Sequence, residues 1–423
     1  MTRLVPVGVL RGLLVGFALV VAALSCTSAS SDTKPIKIGF SMSLTGGVAV
    51  NGKQLLLALE IWRDDVNAKG GLLGRPVEFV YYDDQSNAAT VPGIYTKLID
   101  VDKVDLTIGP YATNMVAPAI PALMTHNMLT IAFFGVAANS EFHYPKYFSM
   151  ISLGPDPKIA MSRGFFEVAA ELNPRPKTVA IVGADAEFAR NTTDGARQNA
   201  KAIGFEIVYD KSYPPGTPDF GPIIRAMQAT SPDMVFAAAY PPDTLGLVRA
   251  AHEIGFRPKL FGGALIGLLA TGMKLQLGPL LNGIVKQDLF VNSPNFDFPG
   301  LRDMLRKYQA KAPDFGVDPL GYAYSPFGYA GGQVLAQAVE ATGGLDQDKL
   351  ADYIHRHSFN TVIGKISFGK DGEWSDPRVV WTQFQDVSDN SLEQFREVKH
   401  EVIIWPPEYR TGSIIYPYAS AIK

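Results

Sequence analysis

The chain has 423 residues, of which 47% are hydrophobic, so it is long enough to build two or three domains with sizeable cores. Its formal charge of −3 provides no strongly basic field. The composition therefore argues against nucleic acid as a partner.

The first 25 residues have the pattern of a secretory signal peptide. Arg3 and Arg11 flank an uncharged apolar run, residues 12–24, which is shorter than the roughly 20 residues that a spanning helix needs. Cys26, the only cysteine, follows Ala23-Leu-Ser25 in a pattern that resembles the lipobox of bacterial lipoproteins. Either Cys26 is lipidated, or signal peptidase cleaves nearby, for example after Ala29. Residues 26–35 then form a tether.

From residue 36 onwards, strand-like and helix-like segments alternate. Apolar residues recur at close to a 3.6-residue period over residues 52–68, which is typical of a helix. The segments 36–42 and 77–82 on either side are short and apolar, as in strands. This alternation predicts an α/β fold with a mainly parallel sheet. The predicted strands of this part are 36–42, 77–82, 104–108 and 128–133, and the predicted helices are 52–68, 88–101 and 113–126.

The same alternation restarts near residue 177, which predicts a second lobe. Strands are predicted at 178–182, 204–209 and 233–239, with helices at 191–203 and 220–229. The segment Leu153-Gly-Pro-Asp-Pro157 suits a stiff crossover between the lobes. Later segments must return to lobes already begun. We predict lobe 1 from 36–155 and 290–365, lobe 2 from 156–289 and 366–400, and a C-terminal tail from 401–423.

Several motifs in order along the chain resemble those of type I periplasmic binding proteins of the leucine/isoleucine/valine-binding family. They are residues 37–47 (KIGFSMSLTGG), 67–77 (NAKGGLLGRPV), 82–86 (YDDQS), 185–188 (DAEF), 219–224 (DFGPII), 260–263 (LFGG) and 361–364 (TVIG). The resemblance implies two doubly wound lobes joined by three crossovers. It also implies a solute clamped between the lobes and delivered to an ABC permease in the inner membrane.

The stretch Gly109-Pro-Tyr-Ala-Thr-Asn-Met115 is where this resemblance places the solute carboxylate. The family holds that group with a hydroxyl residue at a strand end, matched here by Thr113, and with backbone N–H groups close by. Ala112 is a further predicted ligand-binding position. The start of a helix independently offers unpaired N–H donors and a positive dipole end. Alternatively, Thr113 caps its own helix.

Two positions depart from the pattern of branched-chain amino-acid binders. Those proteins also hold the ammonium group, with a hydroxyl in the first lobe and an acid in the second. Alignment places Val136 and Ala264 at these positions. Because a buried ammonium without a partner costs several kcal/mol, this predicts weaker binding of free amino acids.

The other aligned cleft positions are mostly aromatic. An aromatic lining with few polar groups suits a flat apolar solute with one carboxylate. We therefore expect an aromatic or apolar carboxylate, with a branched-chain amino acid as the alternative. These positions are Tyr111, Phe133, Phe134, Phe188, Tyr240 and Tyr329, with Asn51 near the first loop and Tyr324 as a further aromatic position.

Motifs of other function classes are missing from the sequence. It has no Gly-x-Ser-x-Gly, no His-Glu-x-x-His and no phosphate-binding loop. His355-Arg-His357 lies among charged residues without cysteine or paired carboxylates nearby. We expect a monomeric periplasmic transport protein without cofactor or metal. An enzyme and a ligand-binding sensor are the less favoured alternatives.

Overall fold

The computed structural model describes Met1 and residues 34–422. The predicted signal peptide beyond Met1, the lipidation site Cys26 and the tether up to residue 33 lie outside the described residues. No helix in the described part of the chain combines the length and the apolar character that crossing a bilayer requires.

A five-stranded parallel sheet forms the first lobe. Its strands lie in the order β2-β1-β3-β4-β5, and β1 is buried along almost its whole length, as expected for a parallel sheet covered on both faces. The strands are β1 Ile36–Met42, β2 Val77–Asp83, β3 Leu106–Tyr111, β4 Thr130–Phe133 and β5 Tyr147–Met150.

A seven-stranded sheet forms the second lobe, in the order β14-β13-β10-β9-β8-β6-β7. The strands from β6 to β10 run parallel, and β13 and β14 add antiparallel pairs at one edge. The strands are β6 Thr178–Ala184, β7 Glu206–Tyr213, β8 Met234–Ala239, β9 Leu260–Leu265, β10 Val285–Asp288, β13 Val380–Phe384 and β14 Glu401–Trp405; β11 Ser358–Thr361 and β12 Gly364–Ser367 form a separate hairpin.

Helices pack on both sheets. The helices α1, α2, α3, α9, α10 and α11 belong to the first lobe, and α4 to α8 belong to the second. They are α1 Ala49–Ala68, α2 Val91–Asp100, α3 Thr113–Thr125, α4 Pro157–Glu171, α5 Glu187–Ile203, α6 Gly221–Ala229, α7 Pro241–Ile254, α8 Thr271–Leu277, α9 Leu301–Phe315, α10 Ser325–Thr342 and α11 Gln347–Arg356.

Within residues 34–422 the chain passes between the lobes three times, as predicted. It leaves lobe 1 after β5, returns after β10, and leaves again before β13. Two predicted boundaries differ from the structure. A boundary at 365 would divide β12, whose hairpin packs on α10 of the first lobe. The segment from residue 401 is not a separate tail, because Glu401–Trp405 forms the edge strand of the second sheet.

One glycine fixes the start of α1 beside the end of β1. A Cβ at Gly52 would lie 2.1 Å from the carbonyl oxygen of Ser43. Only glycine permits this approach of two backbones. Asn51 precedes it and is fully buried, and its amide donates to the hydroxyl of Tyr111, the last residue of β3.

Candidate functional site

The site begins at the junction of β3 and α3, which are separated by Ala112 alone. Ala112 has φ +76° and ψ 144°, a backbone conformation that residues other than glycine rarely adopt. Its carbonyl accepts the N–H groups of both Met115 and Val116 at 2.9 Å. The N–H groups of Thr113 and Asn114 belong to the first turn, where the carbonyls of the helix cannot reach them. The start of α3, which lines the cleft with Ala112 and Thr113, therefore carries backbone donors without helix partners and the positive end of the helix dipole.

Thr113 is fully buried and links this junction to the segment after β4. Its Oγ1 accepts the N–H of Val136 at 2.9 Å and lies 3.5 Å from the carbonyl oxygen of Phe134, to which it donates. Thr113 is the first residue of α3, and the helix has no side-chain cap. The alternative that Thr113 caps its own helix is therefore wrong. Because the hydrogen bond to Phe134 is long, the hydroxyl hydrogen can turn to a better acceptor.

Three aromatic rings of the first lobe pack against each other beside Thr113. The ring centroid of Tyr111 lies 5.8 Å from that of Phe134 and 5.5 Å from that of Tyr324, and those of Phe134 and Tyr324 are 4.9 Å apart. Asn51 Nδ2 donates to the hydroxyls of Tyr111 at 2.7 Å and Tyr324 at 3.1 Å. Burial raises the pKa of Tyr111 to about 12, so its phenol stays protonated and can donate a hydrogen bond at neutral pH.

The second lobe contributes Phe188 and Tyr240, whose ring centroids are 5.5 Å apart. Asn114 Oδ1 accepts hydrogen bonds from the Tyr240 hydroxyl at 2.7 Å and from the Phe188 N–H at 3.1 Å. A third bond crosses the cleft from Asn191 Nδ2 to the carbonyl of Val136, at 2.9 Å. The two lobes therefore meet through direct hydrogen bonds around the start of α3.

Fourteen of the described residues line the cavity between the lobes, and none of them carries a formal charge. The cavity has a volume of about 20 Å³ for the centres of water-sized molecules, which is room for about one water. A larger molecule can enter only after the lobes separate or the side chains rotate. The lining residues are Tyr111, Ala112, Thr113, Phe134, Val136, Ile151, Met161, Phe188, Tyr240, Ile266, Leu269, Gln287, Leu289 and Tyr324.

Eight of the twelve residues named from the sequence line this cavity, namely Tyr111, Ala112, Thr113, Phe134, Val136, Phe188, Tyr240 and Tyr324. Asn51 does not line it but contacts two tyrosines that do. Ala264 does not line it because it is fully buried within β9, where it pairs with Ala238 of β8; the lining residue is Ile266, just beyond the strand.

Tyr329 and Phe133 also lie elsewhere. The Tyr329 hydroxyl donates to Asp65 Oδ2 at 2.8 Å, and this contact joins α10 to α1 away from the cleft. Of the two tyrosines of this segment, Tyr324, just before α10, is the one that lines the cavity. Phe133 is fully buried in the core of the first lobe, with its ring beside Gly331 of α10.

Sequence reasoning missed the aliphatic part of the lining and Gln287. Ile151 and Met161 flank the first crossover, and Gln287 and Leu289 lie on and just after β10. The strand was not predicted, because Val285-Lys-Gln-Asp288 contains two charged residues. Their alternation with Val285 and Gln287 was the available signal, since alternate residues of a strand share a face.

The profile of the periplasmic binding protein family matches residues 35–381. The chain belongs to this family. Its members bind substrates for transport and are not enzymes, and membership implies an exported, periplasmic protein. The order of elements, the two lobes and the three crossings are those of the type I fold of the family, as predicted.

Individual members of the family align with this chain over most of their length. The Leu/Ile/Val-binding protein homolog 8 of Brucella suis is 25% identical over 394 residues, which cover 89% of this chain and 94% of that protein. The branched-chain amino acid transporter substrate binding protein LivJ of Streptococcus pneumoniae, solved with isoleucine, has a TM-score of 0.70 and 21% identity, covering 84% of this chain and 97% of LivJ. An ABC transporter solute binding protein of R. palustris, solved with 4-hydroxybenzoate, has a TM-score of 0.71 and 21% identity, covering 85% of this chain and 95% of its own.

Proposed function

We propose that this chain is the extracytoplasmic solute-binding protein of an ABC importer and that its preferred ligand is an aromatic or other apolar carboxylate. The observation that carries the ligand class is the uncharged lining of the cavity, which contains aromatic rings, hydroxyls and one amide. Such a lining suits a flat apolar body with few polar groups.

The carboxylate is proposed to bind at the start of α3. Its oxygens would accept hydrogen bonds from the N–H groups of Thr113 and Asn114 and from the Thr113 hydroxyl. Hydrogen bonds to an ionised group are roughly twice as strong as those between neutral groups. The positive end of the helix dipole adds to this attraction, so the carboxylate needs no lysine or arginine in the cavity.

An ammonium group has no comparable partner among the residues that line the cavity. Asp288, the acid nearest in sequence to the cavity residue Gln287, forms an ion pair with Lys286 instead. Glu187 lines a separate surface cleft with Arg190 and Glu141. An ammonium would therefore lose its hydration without gaining a charge partner, which costs several kcal/mol.

A branched-chain amino acid remains the second candidate. The second lobe and the crossover line the cavity with Ile151, Met161, Ile266, Leu269 and Leu289, which would also accept an aliphatic side chain. The solved relatives support both candidates, because one was solved with isoleucine and another with 4-hydroxybenzoate. The amine is thus the group that separates the two candidates.

Delivery is proposed to follow closure of the lobes over the solute, which excludes water and presents the closed, monomeric protein to the permease. We further propose that residues 1–25 direct export and that Cys26 carries a lipid anchor. Mass measurement of the protein extracted from membranes tests the anchor: an acylated N-terminal cysteine supports it, and a mature chain that begins near Ser30 contradicts it.

Matched pairs of ligands that differ only in the amine test the ligand class. The mature protein is titrated by calorimetry with 4-methylpentanoate against leucine and with 3-phenylpropanoate against phenylalanine, and with benzoate. We expect the amine-free acid of each pair to bind about a hundredfold tighter, since an unpartnered ammonium costs several kcal/mol and each 1.4 kcal/mol is tenfold. Tighter binding of leucine than of 4-methylpentanoate would establish the amino-acid alternative.

A further inference from the structure

Gln287 is a buried polar side chain of the cavity without an internal partner for its carbonyl oxygen. The residue is 1% exposed and lines the cavity from β10 of the second lobe. Its Oε1 has no hydrogen-bond partner within the described part of the chain. Buried amide oxygens are nearly always hydrogen-bonded, and an unpartnered one costs free energy. This oxygen therefore calls for a donor that the protein itself does not supply.

The neighbours of Gln287 hold its backbone firmly in place. Lys286 and Asp288 point to the opposite face of β10 by the alternation of strand residues. There they form a buried ion-pair cluster with Glu401 of β14. Gln287 itself is paired with Trp381 of the neighbouring antiparallel strand β13. Because the strand is held through both faces, the amide stays at the cavity wall, where a molecule inside the cavity can supply the missing donor.

The position of Gln287 relative to the carboxylate site gives its role. The start of α3 and Thr113 belong to the first lobe, and Gln287 belongs to the second. Among the described residues, the second lobe brings one other polar side chain to the cavity, Tyr240, and its hydroxyl already donates to Asn114. Gln287 is thus the polar group of the second lobe that is available to a solute held by its carboxylate on the first.

We infer that the Gln287 amide hydrogen-bonds a hydroxyl on the solute, at the end away from the carboxylate, so that the preferred ligand is a hydroxylated aromatic acid. The phenol O–H would donate to Oε1, and the Nε2 amide could donate to the phenol oxygen. A solute bound in this way contacts both lobes and stabilises their closed arrangement. This inference rests on the proposed function, since it assumes a carboxylate at Thr113.

The test compares benzoate with 4-hydroxybenzoate and 3-hydroxybenzoate by calorimetry, on the wild-type mature protein and on Gln287→Leu. For the wild type we expect at least one hydroxylated acid to bind about tenfold tighter than benzoate, the effect of one hydrogen bond to a buried polar group. In Gln287→Leu this preference should fall to about twofold or less while benzoate still binds. Retained benzoate binding also reports that the variant is folded.

Two further variants separate a hydrogen bond from a change of cavity shape. Gln287→Met keeps the length of the side chain without its amide and should lose the preference for hydroxylated acids, as Gln287→Leu does. This variant gives the same test if leucine does not fit at position 287. Leu289→Met alters the same wall without touching the amide, and it should change the affinities for benzoate and its hydroxylated forms alike.

The outcomes of these titrations separate the role of Gln287 from the proposed ligand class. If the wild type binds benzoate and the hydroxylated acids equally, or if its preference survives in both Gln287 variants, the role of Gln287 is wrong while the proposed ligand class stands. If the wild type binds none of these acids, nor the aliphatic ones, the proposed ligand class is wrong and this inference is overturned with it.

Discussion

The phenolic hydroxyl of Tyr240 donates a hydrogen bond to Oδ1 of Asn114 at 2.7 Å, and this bond joins the second lobe to the first turn of α3. The same oxygen accepts the N–H of Phe188 at 3.1 Å. Burial raises the pKa of the Tyr240 phenol, so the hydroxyl remains a donor throughout the physiological range. One asparagine oxygen therefore receives two donors from the opposite lobe directly beside the proposed carboxylate site.

Replacing Tyr240 by Phe removes this bond and keeps the ring against Phe188. We expect the dissociation constant of the proposed carboxylate ligand to rise about 2- to 12-fold, because a neutral hydrogen bond contributes about 0.5 to 1.5 kcal/mol. Small-angle scattering should show a more open average form at low ligand concentration. The control is Tyr209→Phe, on β7 and outside the cavity lining. Equal affinities of Tyr240→Phe and wild type would show that the bond does not stabilise closure.

Replacing Thr113 by Ala removes the hydroxyl from the proposed carboxylate site. We expect affinity for carboxylates to fall by about 1 to 3 kcal/mol, that is, about 5- to 150-fold, and thermal stability to fall as well because the N–H of Val136 loses its acceptor. Thr113→Ser keeps the hydroxyl and should stay within about threefold of the wild type. Calorimetry and a melting curve measure the two effects separately. Unchanged affinity in Thr113→Ala would remove Thr113 from the site.

An acid introduced at Ile266 should reduce the proposed preference for amine-free ligands. Ile266 lines the cavity, whereas Ala264 is fully buried in β9. In Ile266→Glu we expect about tenfold weaker binding of 4-methylpentanoate and a smaller loss, or a gain, for leucine, because like charges repel and an ammonium gains a partner. The measured quantity is the ratio of the two dissociation constants.

The matched change, Ala264→Glu, tests whether the position matters. It places a carboxylate inside a packed strand, so we expect a large drop in melting temperature without a change in that ratio. A shift of the ratio in Ala264→Glu but not in Ile266→Glu would mean that the cavity lining differs from the one described and that the sequence-based alignment was right.

Glu373 gives a pH dependence of stability that is independent of the ligand. It is 6% exposed, its Oε2 has no partner within residues 34–422, and burial raises its pKa to about 8. Between its ordinary value of 4.5 and about 8, the unfolded chain releases a proton that the folded protein keeps. Stability contributed by this group is therefore present below pH 4.5 and is lost as the pH rises to about 8.

Glu373→Gln removes the titrating group and should stabilise the protein most at high pH. We expect a gain of up to about 4 kcal/mol at pH 8 and little change at pH 4.5, since each pKa unit corresponds to about 1.4 kcal/mol. Urea unfolding at a series of pH values measures this difference, with Glu78→Gln at an exposed position of β2 as the control. A gain that does not depend on pH would contradict the raised pKa.

Much of the fold and half of the site follow from local sequence. The periods of apolar residues placed most of the strands and helices of the first 240 residues, because burial on one or both faces leaves a pattern within each segment. Thr113 was predicted from the family resemblance, and the electrostatics of a helix start that follows a strand end supported the same position.

The tertiary structure decided which of two nearby residues reaches the cavity. Tyr324 and Tyr329 flank the start of α10, but only the packing of that helix on α1 turns Tyr324 to the cleft and Tyr329 to Asp65. The turn that follows β9 likewise selects Ile266 over Ala264. Helix rotation and strand ends depend on contacts between distant segments, so no local pattern records them.

Gln287 depended most on the tertiary structure. Its strand contains Lys286 and Asp288, and a buried strand with two charges is costly on its own. Lys286 pairs with Asp288 of the same strand, and Glu401, more than a hundred residues later, adds a second ion pair to Lys286. Local patterns and the family resemblance were enough to predict the family, the order of elements and the proposed carboxylate end of the site. The opposite wall is defined only in the folded chain, because β10 is held by pairing with β13, far along the chain, and by the ion pair of Lys286 with Glu401 of β14.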